Sequence, residues 1–589
     1  MEPINVDFSG KKKKKVAQVS PGGSTVKKVI ISLLVTVVAA AGLYYFMLPA
    51  FNFKAIEMYM YLAFLIIIFI GVFGLTSRAY FRPEYMEYAK NKVKIPIIML
   101  LVLALIVAVG FVSGAVIFRA KDYHEIIDVK EGNFAEEVAE IDFSSVPRLD
   151  KDSSSMIATR ALGELSDYVS QFVVNDYYST QINYKGTPVR VQSLDYGDIF
   201  KWLKNTKNGI PAYIIVDMTT QKAETVRLEN PMKYSPAEHF NEYLIRHVRF
   251  KYPTLMLDTP SFEIDETGHP YWIVPVIDKT IGLFGGTDIS GAILVDSVTG
   301  ETELISTSLD GKTKLKTDKF VTDPEYQWID RVYSASLLNE QYNYYGKYIN
   351  GFINSLIGQS DVRVTSQGYN YLALNDDVYM YTGVTSISSD QSIIGFVLIN
   401  QRTKEAKYYQ VSGALENTAQ TSAQGKVQQY SYIATFPLLL NVSSEPTYFM
   451  ALKDASQLVK MYAMVNVKQS TVVGVGASLQ ECTENYAAEL EKNGISVDID
   501  VDSMGEDVEA NGGEQKEETV EVSGTVAEIR SVITGGETYF YIKLNEGAPY
   551  YKVAASAAEK VVILNAGDSI TFAVKKDAKG DIIPVTAVK

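Results

Sequence analysis

The chain has 589 residues, 47% of them hydrophobic and 21% charged, with a formal net charge of −14; this is the make-up of a multi-domain globular protein and excludes a fibrous or wholly disordered one. A single cysteine, Cys482, excludes an intrachain disulfide and any multi-cysteine metal site, and four histidines leave little material for a metal centre. Residues 1–94 carry 13 Lys/Arg and 5 Asp/Glu and the remainder 42 and 64, so the long C-terminal part is acidic and unsuited to nucleic acid, whose phosphates require Lys and Arg.

Residues 1–28, with the run Lys11–Lys15, read as a solvated, disordered basic tail. Three apolar segments follow within 29–118: Val29–Leu48, Ile56–Leu75 and Ile95–Phe118. The last holds no charge over its length, about 36 Å of helix, enough to cross a hydrocarbon core of about 30 Å with some tilt. Lysines before an apolar run resemble a secretory signal, but apolarity continues past Ala39–Ala41 through Leu43–Leu48, so the first segment reads as an uncleaved anchor. The loop Thr76–Lys94 carries Arg78, Arg82, Lys90, Lys92 and Lys94, whereas the link Pro49–Ala55 has only Lys54. The positive-inside rule then places the N-terminus and the basic loop in the cytoplasm and residues 119–589 outside. Glu57 lies at a segment edge and no charge lies deeper, so transport and proton relay have no support.

Beyond Arg119 the pattern is mixed α and β. A helix is expected over Asp150–Val173, strands over Gln181–Tyr184 and Val189–Leu194, and a hairpin over Ala212–Leu228. A second helix is expected over Ser235–Phe250, with Ser235-Pro236 as N-cap and first residue. Phe262–Ile305 reads as a strand meander turning at Asp265–Gly268 and Ser297–Gly300. Asp330–Tyr345 reads as a helix, and strands follow at Asp377–Val384 and Gly395–Val411.

Three hairpins share one form: IIVDMTTQKAE, ILVDSVTGETE and VLINQRTKEAK each run from a strand into Asp or Asn (217, 296, 400), two residues, then Thr (220, 299, 403). Asx and Thr side chains bond nearby backbone in such turns. A helix followed by strands ending in an apolar-Val-Asp-x-x-Thr-Gly-Glu hairpin resembles the PepSY domain, and Asp296–Glu301 match that hairpin best. The resemblance covers two modules, about 150–228 and 235–306, and more loosely 360–411, where Asn400 and Lys404 depart from the pattern. It implies a non-catalytic extracytoplasmic binding or inhibitory fold.

Further on, helices are expected over Leu415–Gln429, Thr447–Ala463 and Ser478–Lys492, with strands at Met464–Lys468 and Thr471–Gly476. Cys482, flanked by Glu481 and Glu484, lacks the basic neighbour a reactive thiol needs. Val497–Glu521 reads as an acidic linker. Within it Asp498, Asp500 and Asp502 alternate like the start of a calcium loop without the remaining ligands. Residues 522–589 carry five short strands, with Gly567-Asp568 before the fourth, and resemble an OB-fold barrel. Nucleic-acid binding fits poorly outside the cell, although Tyr539, Tyr541, Tyr550 and Tyr551 could stack on sugars or peptide groups.

No metalloprotease, P-loop or nucleophile-elbow motif occurs. Glu238-His239 and His247 are too far apart for two ligands on one helical turn, and Gly282–Gly286 reads as a turn. Asn375-Asp376-Asp377 reads as turn chemistry rather than as a carboxylate pair. Tyr342, Tyr344, Tyr345 and Tyr348 crowd one segment, a composition suited to interfaces.

The expected fold is therefore three transmembrane helices, an extracytoplasmic α+β region (119–306 with two modules, then 307–496), a linker (497–521) and a small C-terminal β-barrel (522–589). The expected function is a membrane-anchored, non-catalytic binding or scaffold protein of a bacterial cell envelope. Its partners would be the lipid bilayer and envelope proteins or cell-wall components, with no nucleic acid, cofactor, metal or catalytic residue assigned. The alternative is an envelope hydrolase whose site is assembled from dispersed residues, with Asp376, Asp377 and His247 as candidates. The sequence does not set the oligomeric state.

Overall fold

The computed structural model describes residues 19–588 except 139–145, 166, 307, 311–313, 317–322, 375, 388–391, 496–518, 535–536, 545–548, 555–558, 576–579 and 581. Lys11–Lys15, Asn375, the aspartates at 498–502 and nearly all of the acidic stretch lie outside the described residues. The chain divides into two compact units, Met1–Gly512 and Gly513–Lys589.

In the first unit, helices α1 (Thr25–Met47), α2 (Ile56–Thr76) and α3 (Lys94–Ser113) are each long and apolar enough to cross a membrane. Leu34, Val38, Leu101 and Leu105 are all more than 60% exposed, so protein does not cover these faces. The third apolar segment does not continue as one helix to Phe118. It stops at Ser113, and α4 (Val116–His124) begins after Gly114-Ala115. A side chain at Gly114 would meet the backbone of Ile281 and Gly285, so the break seats a hairpin from the folded region. The C-terminal ends of α1 and α3 and the link into α2 all abut that region.

Among the described residues the folded part contains four repeats, each a helix followed by four strands in an antiparallel meander, and the sheets that hold these meanders have four, five, six and five strands in all. Repeat 1 has α5 (Lys151–Gly163) and strands β1 (Thr180–Tyr184), β2 (Thr187–Gln192), β3 (Ile210–Asp217) and β4 (Ala223–Met232). Repeat 2 has α6 (Leu244–Lys251), β5 (Ser261–Ile264), β6 (Pro270–Ile281), β7 (Gly285–Asp296) and β8 (Thr302–Ser306). Repeat 3 has α7 (Ala335–Lys347), β9 (Asn370–Leu374), β10 (Asp377–Ser386), β11 (Gly395–Asn400) and β12 (Ala406–Tyr409). Repeat 4 has α8 (Glu416–Lys426), β13 (Leu438–Val442), β14 (Glu445–Lys453), β15 (Val459–Asn466) and β16 (Val473–Gly476), followed by α9 (Leu479–Lys492).

One turn marks every repeat, always between the third and fourth strands. Asp217 Oδ1 accepts from the N–H groups of Thr219 and Thr220 at 2.8 and 2.9 Å. Asp296 Oδ1 does so from Val298 and Thr299 at 2.8 and 3.0 Å, and Asn400 Oδ1 from Arg402 and Thr403, both at 2.8 Å. Asn466 Oδ1 accepts from Lys468 and Gln469 at 3.0 and 2.9 Å. In the first three, the fourth residue after the Asx is left-handed: Gln221, Gly300 and Lys404, at φ 60°, 75° and 64°. Asn400 therefore replaces an Asp without loss, because the amide oxygen accepts the same two bonds.

The fourth repeat corrects the expected helix at Thr447–Ala463, which is the hairpin β14–β15. The central strands of repeats 2, 3 and 4 are buried on both faces. Trp272 and Val274 belong to a core shared by repeats 1, 2 and 4, while Ile273 between them belongs to one shared by repeats 2 and 3. Phe396 faces a third core, between repeats 3 and 4, and its neighbour Val397 faces the second. A strand buried on both sides is apolar without alternation, so its period carries no signal. Residues 119–306 and 307–496 are thus joined through common cores. The first strands of the repeats converge, β1 against β5 and β9, and β9 against β13. The expected helix at Ser235–Phe250 is confined to Leu244–Lys251. Phe240 is left-handed (φ 51°), and buried Glu238 is held by the Tyr196 hydroxyl at 2.5 Å and the Trp202 indole N–H at 2.7 Å.

Among its described residues the second unit is a six-stranded sheet, one strand more than expected: β17 (Thr519–Thr525), β18 (Glu528–Thr534), β19 (Glu537–Lys543), β20 (Tyr550–Ala554), β21 (Ser569–Lys575) and β22 (Ile582–Val588). Its order is β17-β21-β22-β20-β19-β18, with β20 and β22 parallel. Ile542, Val561 and Phe572 are fully buried in its core.

Candidate functional site

Where the first strands converge, two carboxyls are sealed from solvent. Glu263 on β5 accepts from the Asp330 and Arg331 N–H groups at 2.9 and 3.1 Å. Asp330 accepts from the Asn183 N–H of β1 at 2.6 Å. Burial pushes Glu263 up to about 7, the Asp330 N–H and the Arg331 charge offsetting only part of it. Burial, and then the Glu263 charge, raises Asp330 well above the carboxylate range. Perturbed carboxyls in a cleft would be catalytic candidates. These two are 0% and 1% exposed, so no substrate reaches them and they act as a hub joining repeats 1, 2 and 3.

The side chains singled out from the sequence are separated and engaged. Asp376 sits in the β9–β10 turn (φ 65°) and accepts from the Asn183 amide at 2.9 Å. Asp377 forms a bidentate pair with Arg402 at 2.7 and 2.8 Å and also accepts from Asn400 at 2.9 Å. His247 is bonded to the Gly300 carbonyl at 2.7 Å, and His239 lies edge-on to the Trp202 ring. Cys482 is fully buried, which pushes its thiol up, away from reactivity. Among the described residues no three His, Cys, Asp or Glu side chains are placed to hold a metal ion.

Two open concavities border repeat 2. The first, about 540 Å³, lies along the outer edge of repeat 2. Its aromatic wall is Tyr271 and Trp328, rings 5.1 Å apart, with Tyr326, whose hydroxyl donates to Glu303 at 2.6 Å. Its rim holds Asp265, Glu266, Asp296, Glu301, Glu303 and Glu325. Burial raises Asp296, but the Thr299 and Val298 N–H groups and His269 outweigh it and hold the carboxyl below its ordinary value. An anionic rim over aromatic faces attracts cations, by charge and by the ring quadrupole. Asp265 and Asp296 were legible only as turn residues. Trp328 and Glu325 come from the segment before α7, which no local pattern connects to the hairpin.

The second concavity, about 650 Å³, lies between the span ends and repeats 1 and 2. Docking there is specific. From one face of α6, Arg246 and Arg249 donate to the carbonyls of Tyr45 and Leu48 at the C-terminal end of α1, both at 3.0 Å. Leu244 and Val248, on its opposite face, enter the core. Cations thus meet carbonyls that the helix itself cannot satisfy. Lys54 in the α1–α2 link pairs with Asp278 of β6 at 2.8 Å, and the Phe51 N–H donates to Pro253 at 2.8 Å. The hairpin tip Gly282–Gly286 lies against Gly110 and Gly114 of the third span, with Phe284 beside Phe111.

No protein-family model matches the chain, and no curated protein matches it. Among solved structures, a point mutant of levansucrase from Bacillus subtilis aligns over 78% of this chain and 96% of its own, at 10% identity and a TM-score of 0.15. A score that low carries no argument about fold or function.

Proposed function

We propose that the protein is a membrane-anchored, non-enzymatic binding or scaffold component of a bacterial cell envelope. The N-terminus and the 76–94 loop lie in the cytoplasm, and residues 119–589 lie outside. The observation that carries this reading is the cleft on repeat 2: open, aromatic-walled and anionic, with no group of three metal-ligating side chains among the described residues. Its chemistry fits a cationic amine or a basic peptide segment. The Asx turn common to all four repeats supports reading them as PepSY-like modules. The barrel reading of the C-terminal unit is supported by its strand order, since the two ends of the sheet, β17 and β18, are consecutive in the chain. Between them, the Val526 N–H donates to Asp568 and the Ala527 N–H to Lys543.

Calorimetric titration of the full chain in detergent with an oligolysine peptide tests the cleft. Saturable binding is expected, weakened at least tenfold in the double variant Glu301→Gln/Glu303→Gln and in Trp328→Ala. Absence of binding, or binding indifferent to these changes, would remove the cleft from the account. A folded Glu303→Gln variant that is null in cells while a substrate accumulates would favour the hydrolase alternative.

A further inference from the structure

The 650 Å³ concavity at the span ends has a lining unlike that of the cleft. Phe111, Ile245, Met256, Ile277 and Phe284 supply apolar surface. Lys54, Glu57, Arg249, Asp258 and Lys279 supply charge. Lys54 is engaged by Asp278, and Arg249 by the carbonyls of Leu48, Tyr252 and Leu255. Lys279 donates to the Thr287 hydroxyl at 2.6 Å and has no ion-pair partner among the described residues. An ammonium has three N–H donors, so this cation retains donors for an anion.

Position selects the occupant. The link between α1 and α2 and the last turn of α3 form part of the wall, so in a bilayer the pocket opens at the boundary between hydrocarbon and headgroups. Molecules present there at high density are amphiphiles with an apolar body and a phosphate-bearing head, and the pocket offers an apolar surface beside an unpaired ammonium. Its volume lies within the range of sites that enclose a small molecule.

We propose that this pocket holds one bilayer phospholipid, its phosphate directed to Lys279 and the upper part of its acyl chains against Phe111, Met256 and Phe284. The lipid fills the seam between the span ends and repeats 1 and 2. This inference is independent of the cleft on repeat 2, and either can fail alone.

Native mass spectrometry of the full chain in mild detergent, titrated with phosphatidylglycerol, phosphatidylcholine or glycerol phosphate, tests it. One tightly retained phosphatidylglycerol is expected. Met256→Trp and Ile245→Trp, which fill the pocket from two walls, should each lower its occupancy at least tenfold. Lys279→Glu, at a partly exposed position, should lower the binding of both phospholipids through their shared phosphate, phosphatidylglycerol by about tenfold. Glycerol phosphate alone should not bind. A lipid adduct insensitive to all three variants, no adduct above that of the filled variants, or equal binding of glycerol phosphate would overturn the proposal.

Discussion

Lys404 shows how a departure from a turn pattern becomes a structural device. It stands where repeat 2 has Gly300, left-handed like it, and its ammonium reaches Asp288 of β7 at 2.8 Å and the Ile126 carbonyl at 2.8 Å. The pair is 9% and 1% exposed. Removing one partner of such a pair leaves a buried charge unmatched, so Lys404→Ala should cost about 3 kcal/mol, and adding Asp288→Asn should recover part of it. Chemical denaturation of the full chain measures both. Glu263 gives a pH signature. Its carboxyl is raised to about 7 when folded, against about 4.3 in an unfolded chain. Between those values the folded form holds a proton that the unfolded form has lost, so stability is full below about pH 4.3 and falls as pH rises through 7, by on the order of 3 kcal/mol. Asp330 adds in the same direction. The depressed Asp217 and Asp296 act oppositely, their contribution being lost only as pH falls below about 4. Denaturation midpoints at pH 5 and pH 8 should differ in the native chain, and the difference should shrink in Glu263→Gln, with the remainder carried by Asp330.

At the scale of elements, the hairpin tip Gly282–Gly286 has two demands on glycine. Gly282 and Gly286 are left-handed, at φ 64° and 62°, and a side chain on Gly282 would meet the backbone of Ser113 and Gly114. Gly282→Ala should therefore loosen the seat on the third span while sparing the core of repeat 2. Hydrogen exchange should rise at 281–286 and at 110–116 and stay unchanged in β6 near Trp272. Uniform protection in the variant would mean that the tip contributes nothing to the seat. The same stretch was legible as a turn, because Gly-rich residues among strands announce one, but its contact with the membrane segment was not. Helix starts at Asp150 and Ser478, which each accept an N–H, were legible. The helix expected over Asp150–Val173, however, ends at Gly163, with Phe172–Val174 a strand, and the one expected from Asp330 begins only after Ser334. The β14–β15 hairpin was not legible, since YFMAL is buried on both faces and has no period to read. Nor was the start of the second helix, ahead of which Glu238 is held by Tyr196 and Trp202, both distant in the chain.

Across the whole first unit, three of the four repeats were visible as hairpins, while the fourth carries a longer turn after Asn466 that hid it. The three spans were plain from hydropathy alone. The cleft on repeat 2 and the pocket at the span ends were invisible, since each joins segments more than 50 residues apart. The ties between repeats are of the same long-range kind: Lys453 of β14 pairs with Asp150 at 2.5 Å, and Gln221 donates to the Tyr462 hydroxyl at 2.6 Å. The central claim is that this four-repeat body is presented outside the cell by three spans. Labelling of engineered thiols in whole cells by a membrane-impermeant reagent tests it most directly, because the native Cys482 is buried and contributes no background. Asn208→Cys, exposed in repeat 1, should react without permeabilisation, and Lys90→Cys, exposed in the basic loop, only after it. Reaction at Lys90→Cys with protection at Asn208→Cys would contradict the account.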